Sequence, residues 1–102
     1  MRRRIRIAHI EEIHRNEMKQ FNVRGLEILL VNAGGRFYAV ENRCPHMGYP
    51  LYFGSLEGTT LTCGFHSARF DITTGKPLNR VTDKSLRTFK LTVKDSQIFV
   101  EL

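Results

Sequence analysis

Apolar and polar residues alternate with a period of two along most of this chain, the pattern of strands with one face buried and one in water. In residues 3–9, Ile5 and Ile7 alternate with Arg4 and Arg6. Met18 to Val23 form a second short run, closed by Arg24-Gly25 as a hairpin turn. Leu26 to Ala33 is almost uninterrupted apolar sequence, which predicts a strand covered on both faces. Gly34-Gly35 turns the chain into Arg36-Phe37-Tyr38-Ala39-Val40, a β-branched and aromatic strand. Near the end, Phe89, Leu91 and Val93 alternate with Lys90, Thr92 and Lys94; Asp95-Ser96 makes a turn and Gln97 to Leu102 a last strand. Helical periodicity is weak, with at most a turn or so between Ile10 and Asn16.

Residues 43–80 read differently. They hold all three prolines (Pro45, Pro50, Pro77) and five of the eight glycines, so regular sheet cannot run through them. Short strands fit at Thr59 to Thr62 and Arg69 to Ile72, with a turn at Thr73-Thr74-Gly75-Lys76. The pattern predicts an all-β, antiparallel fold in which a loop-rich subdomain, about residues 43–80, is inserted between outer strands of one domain spanning 1–102.

Composition adds limits. At 102 residues, 41% apolar and 25% charged, the chain suits one globular domain rather than two or a disordered tail. No apolar run approaches the roughly 18–20 residues needed to span a bilayer. The start, MRRRIRIAHIEE, has a basic cluster (Arg2, Arg3, Arg4, Arg6) but no apolar stretch of secretory type behind it. The expectation is a soluble, cytoplasmic monomer. A net charge of +6 is compatible with a solvated basic face or with docking to an acidic protein. No phosphate loop or nucleic-acid motif accompanies it, so nucleic acid is not an expected partner.

Candidate chemistry is concentrated in CPHMGYPLYFGSLEGTTLTCGFH, residues 44–66. It holds both cysteines and two of the four histidines, as Cys44-x-His46 and, after sixteen intervening residues, Cys63-x-x-His66. A disulfide would suit an exported protein and leaves the histidines unexplained. A zinc module uses the same ligand types, but zinc sites usually pair Cys with Cys and His with His at short spacing. A two-iron, two-sulfide cluster with mixed ligands is the third reading. His9 and His14 lie outside these pairs and are read as ordinary surface or strand residues.

The sequence resembles the soluble Rieske-type ferredoxins, small electron carriers of bacterial aromatic-ring dioxygenase systems. The likeness rests on Cys44-Pro45-His46-Met47-Gly48, on Cys63-Gly64-Phe65-His66, and on Arg69-Phe70-Asp71 with the Thr74-Gly75-Lys76 turn. It implies a Rieske-like antiparallel sandwich or barrel and a [2Fe-2S] cluster held by Cys44, His46, Cys63 and His66. The cysteines would hold the inner iron and the histidines the outer one. It further implies a one-electron carrier rather than an enzyme, taking electrons from a reductase and passing them to an oxygenase or similar acceptor. A small Rieske-like subunit of a larger reductase, such as nitrite reductase, is the neighbouring alternative; such subunits often lack the ligands that are all present here.

Two departures separate this chain from the respiratory Rieske proteins. Those carry an extra disulfide between the loops, where Tyr49 and Phe65 stand here. They also hydrogen-bond the cluster through a Ser and a Tyr hydroxyl, where this chain has Ala68 and Phe70. Ser67 replaces the family's usual Gly. Imidazole ligands raise the potential, because two thiolates and two neutral imidazoles leave the oxidised centre uncharged whereas four thiolates leave it doubly negative. Missing hydroxyls lower it again, toward the bottom of the Rieske range. Met47, Tyr49, Pro50 and Phe65 are expected to form an apolar collar around the histidines, as shielding or as a docking face.

Overall fold

The computed structural model describes residues 3–45, 48–64 and 67–102. All pairings between its ten strands are antiparallel. In chain order the strands are β1 (Arg4–His9), β2 (Met18–Val23), β3 (Leu26–Ala33), β4 (Arg36–Glu41), β5 (Ser55–Glu57), β6 (Thr60–Thr62), β7 (Arg69–Asp71), β8 (Thr88–Phe89), β9 (Leu91–Lys94) and β10 (Gln97–Glu101). They form three sheets, ordered β1-β10-β9, β2-β3-β4-β8 and β5-β6-β7. The helical turn expected after β1 is a single 3₁₀ turn, Ile10–Glu12, and a second spans Leu51–Phe53.

The continuous apolar run of β3 finds its explanation in the layering. Ile28 and Leu30 point into one core with Ala39, Ile98 and Val100, between the four-stranded sheet and β1-β10-β9. Leu29, Val31 and Ala33 point the other way, into a core with Leu51, Leu61, Phe70 and Ile72 of the inserted subdomain. Leu29 and Leu30 are both fully buried though adjacent in sequence. Each such side chain contributes roughly 1.5–3 kcal/mol relative to exposure. The central sheet is therefore the shared wall of two cores.

Three hairpin turns have both central residues at positive φ, as two-residue turns matching strand twist require. They are Arg24-Gly25 (54° and 84°), Gly34-Gly35 (63° and 100°) and Asp95-Ser96 (52° and 63°). The sequence pattern and the structure differ at Phe89 to Lys94, which reads as one alternating strand. The structure divides it: Phe89 pairs with Ala39 in the central sheet, while Leu91 pairs with Val100 in the other. Phe89 and Leu91 pack against the same core on either side of the break, whereas Val93 is exposed, and the chain changes sheet at Lys90, whose carbonyl accepts from Glu101 N–H (2.9 Å). The pattern also gave no sign of β5, three residues with a single apolar side chain between polar ones.

Candidate metal centre

The inserted subdomain leaves the central sheet after β4 and returns at β8. Asn42 fixes its departure. This side chain is buried, donates to Gln20 Oε1 on β2 (2.7 Å), and accepts from the Tyr52 N–H (2.9 Å). Its own N–H donates to the Glu27 carbonyl (2.8 Å). A buried amide so nearly satisfied ties the first cysteine loop to the sheet below.

The two cysteine loops share one backbone plan. Cys44 N–H donates to the carbonyl five residues on, Tyr49 (2.7 Å), and its own carbonyl accepts from the N–H four residues on, Gly48 (2.7 Å). Cys63 N–H donates to Ala68 O (2.8 Å), and its carbonyl accepts from Ser67 N–H (3.2 Å), at the same two spacings. The residue four places after each cysteine is left-handed in both, Gly48 at φ 79° and Ser67 at 55°. Each loop thus begins at a cysteine and folds back on it.

Both thiols belong to the core cluster that includes Leu51, Leu61, Ala68 and Phe70, with relative exposures of 0% for Cys44 and 1% for Cys63. The structure holds them as separate cysteines, not as a disulfide. Two buried sulfurs, one at the root of each matched loop, suit a group that draws one thiolate from each. A thiolate in apolar surroundings is costly unless a metal takes its charge. His46 and His66, the other candidate ligands, lie outside the described residues, as do Met47 and Phe65 of the expected collar and Arg2 of the basic cluster. Among the described residues no group of three or more His, Cys, Asp or Glu side chains comes together. The described part of the centre is the cysteine pair and its frame.

Residues 3–90 match the family model for the Rieske [2Fe-2S] domain. The chain belongs to this family. The ferredoxin component of the naphthalene 1,2-dioxygenase/salicylate 5-hydroxylase systems of Ralstonia sp is 30% identical over 95 residues, covering 93% of this chain and 91% of that one. The solved ferredoxin of carbazole 1,9a-dioxygenase from Nocardioides aromaticivorans IC177 superposes with a TM-score of 0.90 at 27% identity, covering 95% of each chain. A chain in the complex of reduced oxygenase and oxidised ferredoxin in carbazole 1,9a-dioxygenase gives a TM-score of 0.89 at 26% identity, covering 94% of this chain and 99% of that one. The cofactor of this Rieske domain is accordingly a [2Fe-2S] cluster.

Within the Rieske domain a further residue, not signalled by the sequence pattern, frames the second loop. Asn79 donates from Nδ2 to the Ser67 carbonyl (2.8 Å), and its Oδ1 accepts from the N–H groups of Arg69 (3.3 Å) and Val81 (3.4 Å). Leu78 N–H reaches Arg69 O (2.7 Å), and Pro77 bridges to Phe70. The segment after the Thr73-Thr74-Gly75-Lys76 turn is therefore laced to the loop that starts at Cys63. A lone asparagine two residues after a proline carries no periodicity, which is why the pattern is silent about it. We expect Asn79→Ala to lower stability by about 0.5–1.5 kcal/mol, the net worth of a hydrogen bond whose partners water can reach. Cluster release to a chelator, followed by loss of visible absorbance, should quicken in parallel. Asn79→Asp keeps the acceptor and loses the donor, so it should show most of the same effect.

Ser67 stands where its twin loop has Gly48. A side-chain-bearing residue in the left-handed region costs roughly 1–2 kcal/mol, partly offset by the greater chain entropy that a glycine would lose. Ser67→Gly should accordingly raise stability by about 0.5–1 kcal/mol, seen as a higher unfolding midpoint in urea. The turn beyond β7 is held from Asp71, whose Oδ1 accepts from Thr73 Oγ1 (2.7 Å) and Thr73 N–H (2.9 Å). The Thr73 hydroxyl foremost, and then its N–H, hold the Asp71 carboxyl below the usual carboxylate range.

Proposed function

We propose that this chain is a one-electron carrier of an oxygenase system, with Cys44 and Cys63 on one iron of the cluster and His46 and His66 on the other. The observation that carries the reading is the pair of buried cysteines at the roots of two loops with the same hydrogen-bond plan. Relatives of similar length that are ferredoxin components of dioxygenase systems support it. A flavin-type reductase upstream and an oxygenase downstream are the partners, the chain itself performing no substrate chemistry. Residues 1–102 act as one Rieske domain with the cluster-binding subdomain at about 43–80, working in the cytoplasm. No helix among the described residues is long and apolar enough to cross a membrane.

The cluster, when bound, takes up and gives back one electron. The chain's own part is to exclude water from the sulfurs and hold the loops rigid. Leu51, Leu61, Ala68 and Phe70, all fully buried in the same core as the thiols, supply the first. Asn42 and Asn79 supply the second. Purified protein should contain two iron and two acid-labile sulfide per chain, be coloured, and bleach on uptake of one electron. A colourless, zinc-containing protein would end the proposal. Exchanging His46 or His66 for serine should abolish the Rieske spectrum, and an unchanged spectrum in either would remove that residue from the ligand set.

The potential should lie near the low end of the Rieske range, about −150 mV. Neither Ala68 nor Phe70 carries a hydroxyl, and both are buried beside the cysteines. Placing hydroxyls there with Ala68→Ser and Phe70→Tyr should raise the potential, by about 59 mV for every 1.4 kcal/mol by which the new bonds favour the reduced form. Protein-film voltammetry reads this directly, and an unmoved potential would mean that neither hydroxyl reaches the cluster sulfur.

A further inference from the structure

The sheet β1-β10-β9 turns one face into the core and the other away from the rest of the molecule. Ile98 and Val100 of β10 are buried against the central sheet, so Gln97, Phe99 and Glu101 point outward. The register sets a partner on each side of these three. Arg4 pairs with Glu101, and Lys90 takes the next place after the Leu91–Val100 pair, its carbonyl accepting the Glu101 N–H. Arg6, Phe99 and Thr92 form a second row, and His9, Gln97 and Lys94 a third. Phe99 belongs to neither core.

Charge on this face is one-sided. Arg4, Arg6, Lys90 and Lys94 are all exposed. Against them the three rows hold a single carboxylate, Glu101, whose side chain is 13% exposed and lies 3.5 Å from Arg4 Nε. Arg6 Nε donates to the Gln97 amide oxygen, a neutral partner that leaves the guanidinium charge uncompensated. Glu11 and Glu12 follow His9, and Asp95 follows Lys94. Positive charge therefore centres on the first two rows, where Arg3 adjoins them through its backbone bonds to Leu102.

Strand spacing selects what covers such a face. Arg4 and Lys90 stand two strands apart, roughly 10 Å between Cα atoms, and Lys90 and Lys94 are roughly 13 Å apart along the chain. Cations so dispersed do not converge on one carboxylate, as a protein site for an acidic side chain requires. Nor do they follow one line, as the phosphates of a single nucleic-acid strand would. They match an anionic array extended in two dimensions, with Phe99 placed to enter between headgroups.

We propose that the outer face of β1-β10-β9, centred on Phe99 with Arg4, Arg6 and Lys90, binds the anionic phospholipid surface of a membrane. Both cysteines lie in the other core, across the central sheet. A chain held by this face keeps its two cysteine loops turned away from the lipid, free to meet other proteins.

Flotation of the holoprotein with vesicles tests the assignment. It should float with vesicles of equal parts phosphatidylglycerol and phosphatidylcholine at low salt, not with phosphatidylcholine alone, and added salt should release it. Arg6→Gln/Lys90→Gln should weaken binding by about ten-fold or more. Lys19→Gln/Lys84→Gln removes the same charge away from this face and should weaken it by less than about three-fold. The chain has no tryptophan, so Phe99→Trp reports the face by itself. Its emission should shift to the blue on the anionic vesicles, while Phe53→Trp, beside the second cysteine loop, should not shift. Absence of flotation, equal losses in the two double variants, or an unshifted Phe99→Trp would overturn the face. Binding to polyglutamate or to an oligonucleotide as tight as to the vesicles would overturn the lipid as its occupant. None of these readouts depends on the cluster, so the carrier reading and this one fail separately.

Discussion

Replacing Cys63 by serine should yield a colourless protein with no detectable acid-labile sulfide and a cluster-binding subdomain that no longer unfolds cooperatively with the rest. Cys63 is 1% exposed, and its loop closes on its own backbone through Ala68 and Ser67. Serine offers a poorer iron ligand and leaves a hydroxyl in an apolar core, which adds about 1–3 kcal/mol to the cost. Metal binding contributes to folding because its ligands are assembled only in the folded chain. The informative comparison is with wild-type protein stripped of iron by a chelator. If the variant and the stripped protein unfold at the same urea midpoint, the loss is the cluster's; a lower midpoint for the variant measures the buried hydroxyl. Cys44→Ser should behave the same way, because the two loops are equivalent in backbone plan. Retention of a normal [2Fe-2S] spectrum by either variant would refute the assignment of that cysteine.

A substitution that touches no ligand should be nearly as damaging. A Cβ added to Gly54 would stand 2.0 Å from the Thr62 carbonyl oxygen and 3.2 Å from that of Leu51. Neither is the free end of a side chain. Thr62 pairs with Ser55 and Arg69 on either side and immediately precedes Cys63. Relief therefore requires β5 to part from β6, which displaces the second loop. Gly54→Ala should cost about 3–5 kcal/mol, in the range of severe core changes, and should release iron quickly. Gly58 provides the control on the same hairpin: nothing lies within 4 Å of its added Cβ, although its φ is 62°. Gly58→Ala should cost only about 1–2 kcal/mol, the price of a left-handed backbone alone. Urea unfolding of the two holoproteins, with absorbance following the cluster, decides the matter. Similar midpoints for the two variants would show that the close approach at Gly54 is not rigid.

Much of this architecture could be read from residue order, and the reasons differ by region. The outer strands were legible because each buries alternate residues against one layer, as with Ile5 and Ile7. β3 was legible as doubly covered because Leu29 and Leu30 serve opposite cores. The change of sheet at Lys90 was not, since period-two alternation records which side is buried and not which strand is the neighbour. In the subdomain, the Cys and His spacing pointed to a cluster through family resemblance, and the family match bears out the cluster. The frame that holds the loops stayed hidden. Asn42 and Asn79 act through single side-chain amides bonded to backbone far away in sequence, and such bonds leave no local pattern. Ser67 looked like a departure from the family's glycine, and the structure keeps the left-handed backbone there regardless.

The strands that bracket the subdomain are neighbours in the central sheet. Val40 pairs with Thr88, and Glu41 N–H donates to the Arg87 carbonyl at 2.8 Å. A chain that leaves and re-enters at adjacent points lets the base close without waiting for its insert, since closure entropy grows only slowly with the length of the excursion. The base so closed has an open side. Leu29, Val31 and Val40, which the finished insert covers, face water until it packs. Cofactor loading is then also a step in solubility: a newly made chain lacking iron presents a sticky sheet face to its neighbours. Iron starvation should be felt by such a protein first as aggregation and turnover, and only afterwards as a shortage of electrons.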